Sequence, residues 1–331
     1  MRPVVRILSA TAASLAVLFG AAAVLITQPT FGDLPPLADT RADPRRLRQD
    51  VEVLTSTSPR DSDHPQNLDR AAAYIREQLS KTGGRVGEQA FEVRGHVYRN
   101  VLASFGPEDG PVVVVGAHYD SFGDFGENPG ADDNASGTAG LLELARLLGG
   151  HRLGRKVELV AFSTEEPPFF ASPWMGSAVH ARSLAGQRVR AMICLEMIGY
   201  FTEEQPWPHW SLRALYPDRG DFIAVVGRWS DRGLARQVKR AMRGAGGVPV
   251  HSFTVPRSAD IDASDQRNYW DAGFPAVMVT DTAFLRNPHY HSPGDTADTL
   301  DYPRMAGVVD GVLNAVLHAA ELPAGSSVSR R

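Results

Sequence analysis

The sequence predicts an α/β protein: a three-layer α/β/α domain around a central mixed, largely parallel sheet. Three observations carry this reading. From Asp43 onward, short apolar runs alternate with segments of helical period. One of those runs, Val112 to Gly116, is apolar throughout, as a buried strand is. The chain has 331 residues, 43% of them hydrophobic and 22% charged, so it can bury a sizeable core without staples.

The elements follow in order. Asp43-Pro44 reads as an N-cap with proline at the first helical position, and Leu47, Val51 and Leu54 follow at helical spacing. A second helix over Asn67 to Lys81 sets Ala71, Ile75 and Leu79 on one face. Strands are expected at Phe91 to Val93, Asn100 to Ala103 and Val112 to Gly116, before a helix over Gly137 to Leu148. The strand Val157 to Phe162, a helix around Ser177 to Leu184 and the strand Ala191 to Leu195 come next. Then come strands at Phe222 to Val226, Val250 to Val255 and Ala276 to Thr280, with a helix over Leu234 to Met242. Tyr302 to Leu317 closes the pattern as a long amphipathic helix.

Ahead of this domain, Arg2 and Arg6 precede a charge-free run from Ile7 to Ile26, long enough at ~20 residues to span a bilayer. Residues 1–26 are expected to be a signal anchor. The alternative is a signal peptide cleaved near Ala23, after the small residues Ala21-Ala22-Ala23. Either way the large domain is expected to be extracytoplasmic, membrane-anchored by the N-terminal segment or secreted. Residues 27–42, with Pro29, Pro35 and Pro36, read as a linker, 43–322 as the globular domain and 323–331 as a disordered tail.

Composition narrows the chemistry. Net charge is −4, so nothing favours a nucleic-acid partner. Cys194 is the single cysteine, which excludes intrachain disulfides, CxxC motifs and cysteine-rich metal sites. Any metal ligands must be His, Asp and Glu. There is no Gly-x-Ser-x-Gly elbow, His-Glu-x-x-His helix or phosphate loop.

Ligands of open α/β sheets bind beyond the carboxyl ends of the strands, and acids and histidines recur there. Val112 to Ala117 leads into His118-Tyr119-Asp120, and the following loop carries Gly130-Ala131-Asp132-Asp133-Asn134-Ala135-Ser136-Gly137 into a helix. Val157 to Phe162 leads into Glu165-Glu166, Ala191 to Leu195 into Glu196, and the last strand towards Tyr290-His291. Singly, each cluster reads as an N-cap or a solvated loop. Together they supply the oxygen and imidazole donors of a catalytic zinc site.

In this order, the motifs resemble the M28 family of co-catalytic zinc aminopeptidases over roughly Asp43 to Leu322. The resemblance implies two Zn²⁺ per chain, or other divalent metals. Asp133 would bridge them, with Glu166 and His291 completing one site and His118 and Glu196 the other. It implies Glu165 as the general base acting on a metal-bridging water, and Asp120 as the residue orienting His118. Tyr290 resembles the tyrosine that donates to the oxyanion in some members. The implied partners are peptide substrates, and no obligatory protein partner is evident. The implied activity is removal of N-terminal residues. Carboxypeptidase or dipeptidase specificity, a glutaminyl cyclase-like acyltransferase and a catalytically inactive binding ectodomain are the alternatives. Cyclases use one zinc, and inactive members have typically lost ligands; here all five ligands and the base are present.

Three departures stand out. Glu196 replaces the Asp of many members, and Gln266 takes a place where His is common. The stretch Pro167 to Gly176 is longer and more apolar than the family's usual turn, and reads either as a packed loop or as a wall of the substrate pocket. The tract Gln205 to Trp210 reads as a surface loop, with an aromatic pocket rim as the alternative, and Cys194 as core.

Overall fold

The computed structural model describes residues 2–123 and 128–321, with side chains at residue 14 and from residue 16 onward. Its centre is one sheet of eight strands in the order β1-β2-β4-β3-β5-β8-β6-β7. β1 (Arg85–Val93) and β2 (His96–Phe105) form an antiparallel hairpin, and β2 also runs antiparallel to β4 (Val157–Phe162). β4, β3 (Val112–His118), β5 (Val189–Leu195) and β8 (Ala276–Thr280) are parallel neighbours. β6 (Ile223–Arg228) runs antiparallel to β8 and parallel to the edge strand β7 (Val250–Val255). The sheet is therefore mixed, and parallel at its centre.

Side chains alternate along β3 between two cores: Val113, Val115 and Ala117 enter one, Val112 and Val114 the other. The first lies under α2 (Pro44–Thr55), α3 (Pro65–Ser80), α4 (Gly137–Leu148), α7 (Arg232–Ala245) and α9 (Tyr302–Ala320). The second lies under α5 (Gly176–Ser183) and α8 (Gln266–Asp271). These are the three layers expected.

Several boundaries differ from the expectation. The first two strands are longer and joined by Arg94-Gly95, both at positive φ (52° and 80°), the tight turn a hairpin needs. Their apolar pattern was weak because β1 is an edge strand with only Val93 buried. The second helix starts at Pro65, not Asn67. The short helices α6 (Trp210–Arg213) and α8 span too few residues to show a period.

α1 runs from Arg2 to Thr27. Among the described residues, no helix is long and apolar enough to cross a membrane. The expected anchor gains no support from them, since much of it (the side chains of residues 1–13 and 15) lies outside the described set, as does the expected tail, 323–331. What is described is the attachment of α1. The Lys239 ammonium on α7 donates to the carbonyls of Thr27 (2.7 Å) and Gln28 (2.6 Å), a cation closing a helix C-terminus. The proline-bearing segment 27–42 lies along the helices. The amide of Leu34 donates to the Arg240 carbonyl, and that of Leu37 to Asn314 Oδ1.

Beneath the sheet, Glu158 on β4 faces Lys156 (2.9 Å) and His180 (3.3 Å) and accepts from Ser104 (2.9 Å). Burial alone would raise this carboxyl, but the His180 and Lys156 contacts outweigh it and hold its pKa to about 2. The unfolded chain then binds the proton more readily, so this contribution is complete above pH ~4.5 and lost as pH falls towards ~2, at most about 3 kcal/mol. Glu158→Gln is expected to lower Tm at pH 7 and to flatten the acid limb of a Tm-against-pH series. An unchanged acid limb would show that other carboxylates set it.

Candidate metal centre

The site stands at the carboxyl ends of the four parallel central strands, each ending in a chemically loaded turn. His118 is the last residue of β3 and Glu165-Glu166 follow β4. Glu196 follows β5, and His291 lies in the loop after β8. Asp133 enters from a kinked turn, Ala131–Ser136, in which its own backbone is non-helical (φ −105°, ψ 89°) and which feeds α4. Gly130 opens that turn at φ 58°, where a Cβ would stand 2.4 Å from the Asp133 carbonyl oxygen, so glycine is required by both conformation and space.

The two oxygens of Asp133 face different histidines. Oδ1 lies 3.3 Å from His118 Nε2, and Oδ2 lies 3.1 Å from His291 Nε2. Glu196 Oε2 is 3.3 Å from His118 Nε2, and Glu166 Oε1 is 3.4 Å from His291 Nε2. Two donor groups result, His118-Asp133-Glu196 and Asp133-Glu166-His291, whose ligand atoms lie within 4.8 Å of one another in each group. Glu165 Oε2 lies 3.9 Å from His118 Nε2. Each of these carboxylates is under 10% exposed.

The electrostatics report an excess of buried negative charge. Burial pushes Glu165 well above the usual carboxylate range, partly offset by His118 and reinforced by Glu166. Burial and the Asp133 charge raise Glu166 to about 8. Burial opposes a charged His118, but Glu196 and Glu165 outweigh it and hold the imidazole pKa well above normal. Asp133 is drawn below its ordinary value, against burial, by its contacts with His118 and His291. Glu166 Oε1 is buried without a hydrogen-bond partner. A hard or borderline cation is what such orphaned oxygens and clustered imidazoles fit.

The surrounding shell fixes these groups. Asp120 does more than face His118 Nδ1 at 3.4 Å: its two oxygens accept from the backbone N–H groups of Glu165 (3.1 Å) and Glu166 (3.0 Å). Asp295 does the same for Asp132 (2.9 Å) and Asp133 (3.0 Å). The Ser264 hydroxyl donates to Glu196 Oε2 at 2.6 Å. His291 is sandwiched between the rings of Phe122 (3.9 Å) and Tyr290 (3.7 Å). Burial and the neighbouring Asp133 push the Tyr290 phenol far above its normal range, so it stays a donor. Sequence reasoning missed Asp295 and Ser264, and saw only one of the two tasks of Asp120. Asp120→Ala is expected to weaken metal affinity about 10–100-fold, measured by competition with a chromophoric chelator. Affinity within twofold of the parent protein would remove Asp120 from the site's support.

The departures also find their places. Phe169 is buried and packs on Tyr98 at 5.5 Å, while Pro167, Phe170 and Ala171 line the cavity beside the carboxylates. The long stretch is therefore both packed loop and pocket wall. Gln266 is fully buried, donating to the Ile261 carbonyl. In the tract Gln205 to Trp210, Trp207 stacks on Phe222 whereas Trp210 is 78% exposed. Cys194 is buried core.

The sequence model of peptidase family M28 matches residues 100–316. The uncharacterized protein YfbL of Escherichia coli K12 is 48% identical over 306 residues, covering 89% of this chain and 94% of that protein. A probable leucine aminopeptidase of Trichophyton verrucosum is 26% identical, over 78% of this chain and 68% of its own length. Among solved structures, the LapA aminopeptidase of Legionella pneumophila superposes with a TM-score of 0.68 at 21% identity, over 85% of this chain and 73% of that one. The glutaminyl cyclase of Bacteroides thetaiotaomicron gives 0.65 at 19% identity, over 84% and 98%. At these identities the two structures speak for the fold alone.

Proposed function

The chain belongs to peptidase family M28 and is a peptide hydrolase, and from that premise we propose that it is a dinuclear zinc aminopeptidase. Asp133 would bridge the ions, His118 and Glu196 would hold one, and Glu166 and His291 the other. The observation that carries this reading is the split of Asp133, one oxygen towards each histidine, with a further carboxylate beside each. The donor set supports it: Asp133, Glu166 and Glu196 add three carboxylates to the two imidazoles, and a dication at each group would favour their ionised forms. When bound, such ions polarise a scissile carbonyl and make water nucleophilic at neutral pH.

The chain's own residues supply the rest. Glu165 is not in either donor group and lines the cavity, so it is free to take the proton of the attacking water and pass it to the leaving amine. Tyr290, kept protonated, donates to the developing oxyanion. Asp120 and Asp295 hold the backbone on which Glu165, Glu166 and Asp133 sit. We further infer an extracytoplasmic location, supported by the charge-free run Ile7 to Ile26 behind Arg2 and Arg6; fractionation of cells expressing the full chain tests it.

The test of function is a panel of peptides with free and N-acetylated termini, with and without a chelator. Release of N-terminal residues from free peptides only, abolished by chelation and restored by zinc, is expected. Cleavage of acetylated peptides would move the specificity to a carboxypeptidase or other class. No release by zinc-loaded protein would overturn the peptidase reading, and ring closure of N-terminal glutamine would then be assayed.

A further inference from the structure

The cavity that opens from the carboxylates has a volume of about 540 Å³ and lining residues that the chemistry above does not use. Pro167, Phe170, Asp262 and Arg267 line it together with Glu165 and Tyr290. Arg267 is the one arginine or lysine among the described residues that line this cavity. Its guanidinium carbon lies over the Phe170 ring, 4.8 Å from the centroid, a cation–π contact. The Nε is buried and has no hydrogen-bond partner.

Asp262 forms an ion pair with it but no hydrogen bond. Both Asp262 oxygens accept from Arg257 (2.9 Å each), and Arg267 comes only within 3.7 Å, beyond hydrogen-bond distance. Arg257 has a second carboxylate, Asp271, at 2.7 Å. In this Arg257-Asp262-Arg267 group, then, Arg267 is the cation with no hydrogen-bonded carboxylate among the described residues, and its side chain is 16% exposed, inside the cavity that reaches Glu165. A guanidinium offers paired donors in a planar fork that a carboxylate matches.

We propose that Arg267 is a specificity-determining residue that pairs with a carboxylate of the substrate, either the side chain of an acidic N-terminal residue or the terminal carboxylate of a dipeptide. The methylenes of such a residue would lie against Pro167 and Phe170. This inference rests on the aminopeptidase reading, and names the substrates that the site prefers.

The experiment compares peptide pairs that differ only in one carboxylate: Glu-Leu-amide with Gln-Leu-amide, and Leu-Gly with Leu-Gly-amide. For zinc-loaded wild type, kcat/KM is expected to favour the carboxylate member of one pair at least about tenfold, one charge-assisted contact being worth that much. The pair that responds identifies the source of the carboxylate. Arg267→Met is expected to bring the ratio within about twofold, and Arg267→Lys to keep part of it. The same peptides are titrated by calorimetry into the Glu165→Gln protein, so that binding is read without turnover. Turnover of none of the four peptides would overturn the peptidase reading, while the calorimetric ratios would still judge Arg267. Equal affinities within both pairs, or an unchanged ratio in Arg267→Met, would overturn this proposal and leave the peptidase reading intact.

Discussion

Glu165→Gln is expected to lower kcat about 10²–10⁴-fold, the range a positioned general base supplies, with zinc content unchanged. The argument is geometric first. Glu165 lies 3.9 Å from His118 Nε2, beyond the 3.3 Å of the nearer carboxylates, and shares the cavity with Tyr290. It is also 4% exposed and crowded by Glu166, so a neutral amide of the same shape relieves rather than adds electrostatic strain. The variant's Tm should therefore equal or exceed that of the parent protein. A variant that keeps more than about a tenth of kcat at saturating zinc would assign the proton transfer elsewhere.

Asp133→Asn is expected to abolish binding of both zinc equivalents, whereas His291→Ala removes one. Among the described residues no other faces both histidines: Asp133 Oδ1 is directed to His118 and Oδ2 to His291. An amide keeps the shape but replaces one oxygen donor and the charge that draws the cations. Activity should fall to background. The zinc-dependent gain in stability should also disappear, about 2.7 kcal/mol where free zinc exceeds its Kd 100-fold. Thermal unfolding with and without zinc reads this directly. A zinc-induced Tm rise retained by Asp133→Asn would mean that the two half-sites do not depend on a shared carboxylate.

Much of the site was legible because its donors cluster within a few residues of strand ends. His118, Glu165, Glu166 and Glu196 each follow an apolar run that announces its strand, and Asp133 sits in a motif that opens a helix. The supporting residues gave no such signal. Asp295 holds Asp133 from 162 residues away, and Ser264 reaches Glu196 across 68. A carboxylate accepting two backbone N–H groups looks, in sequence, like any turn acid. The same holds for Arg267, whose loose contact with Asp262 reflects Arg257 already bonding both oxygens of that carboxylate. For the fold, the central strands were read from continuous apolar runs, and the edge hairpin was under-read because β1 is half solvated. The segment 27–42 shows the limit of composition. Its prolines mark irregular backbone, but irregular backbone still packs when Asn314 and Arg240 supply hydrogen bonds along its path.

The most direct test of the central claim is a titration of metal-free protein with zinc, recording bound metal and release of leucine from Leu-amide on the same samples. The dinuclear account predicts that activity saturates only at two equivalents per chain. Saturation at one equivalent, or leucine release by protein shown to be metal-free, would contradict it.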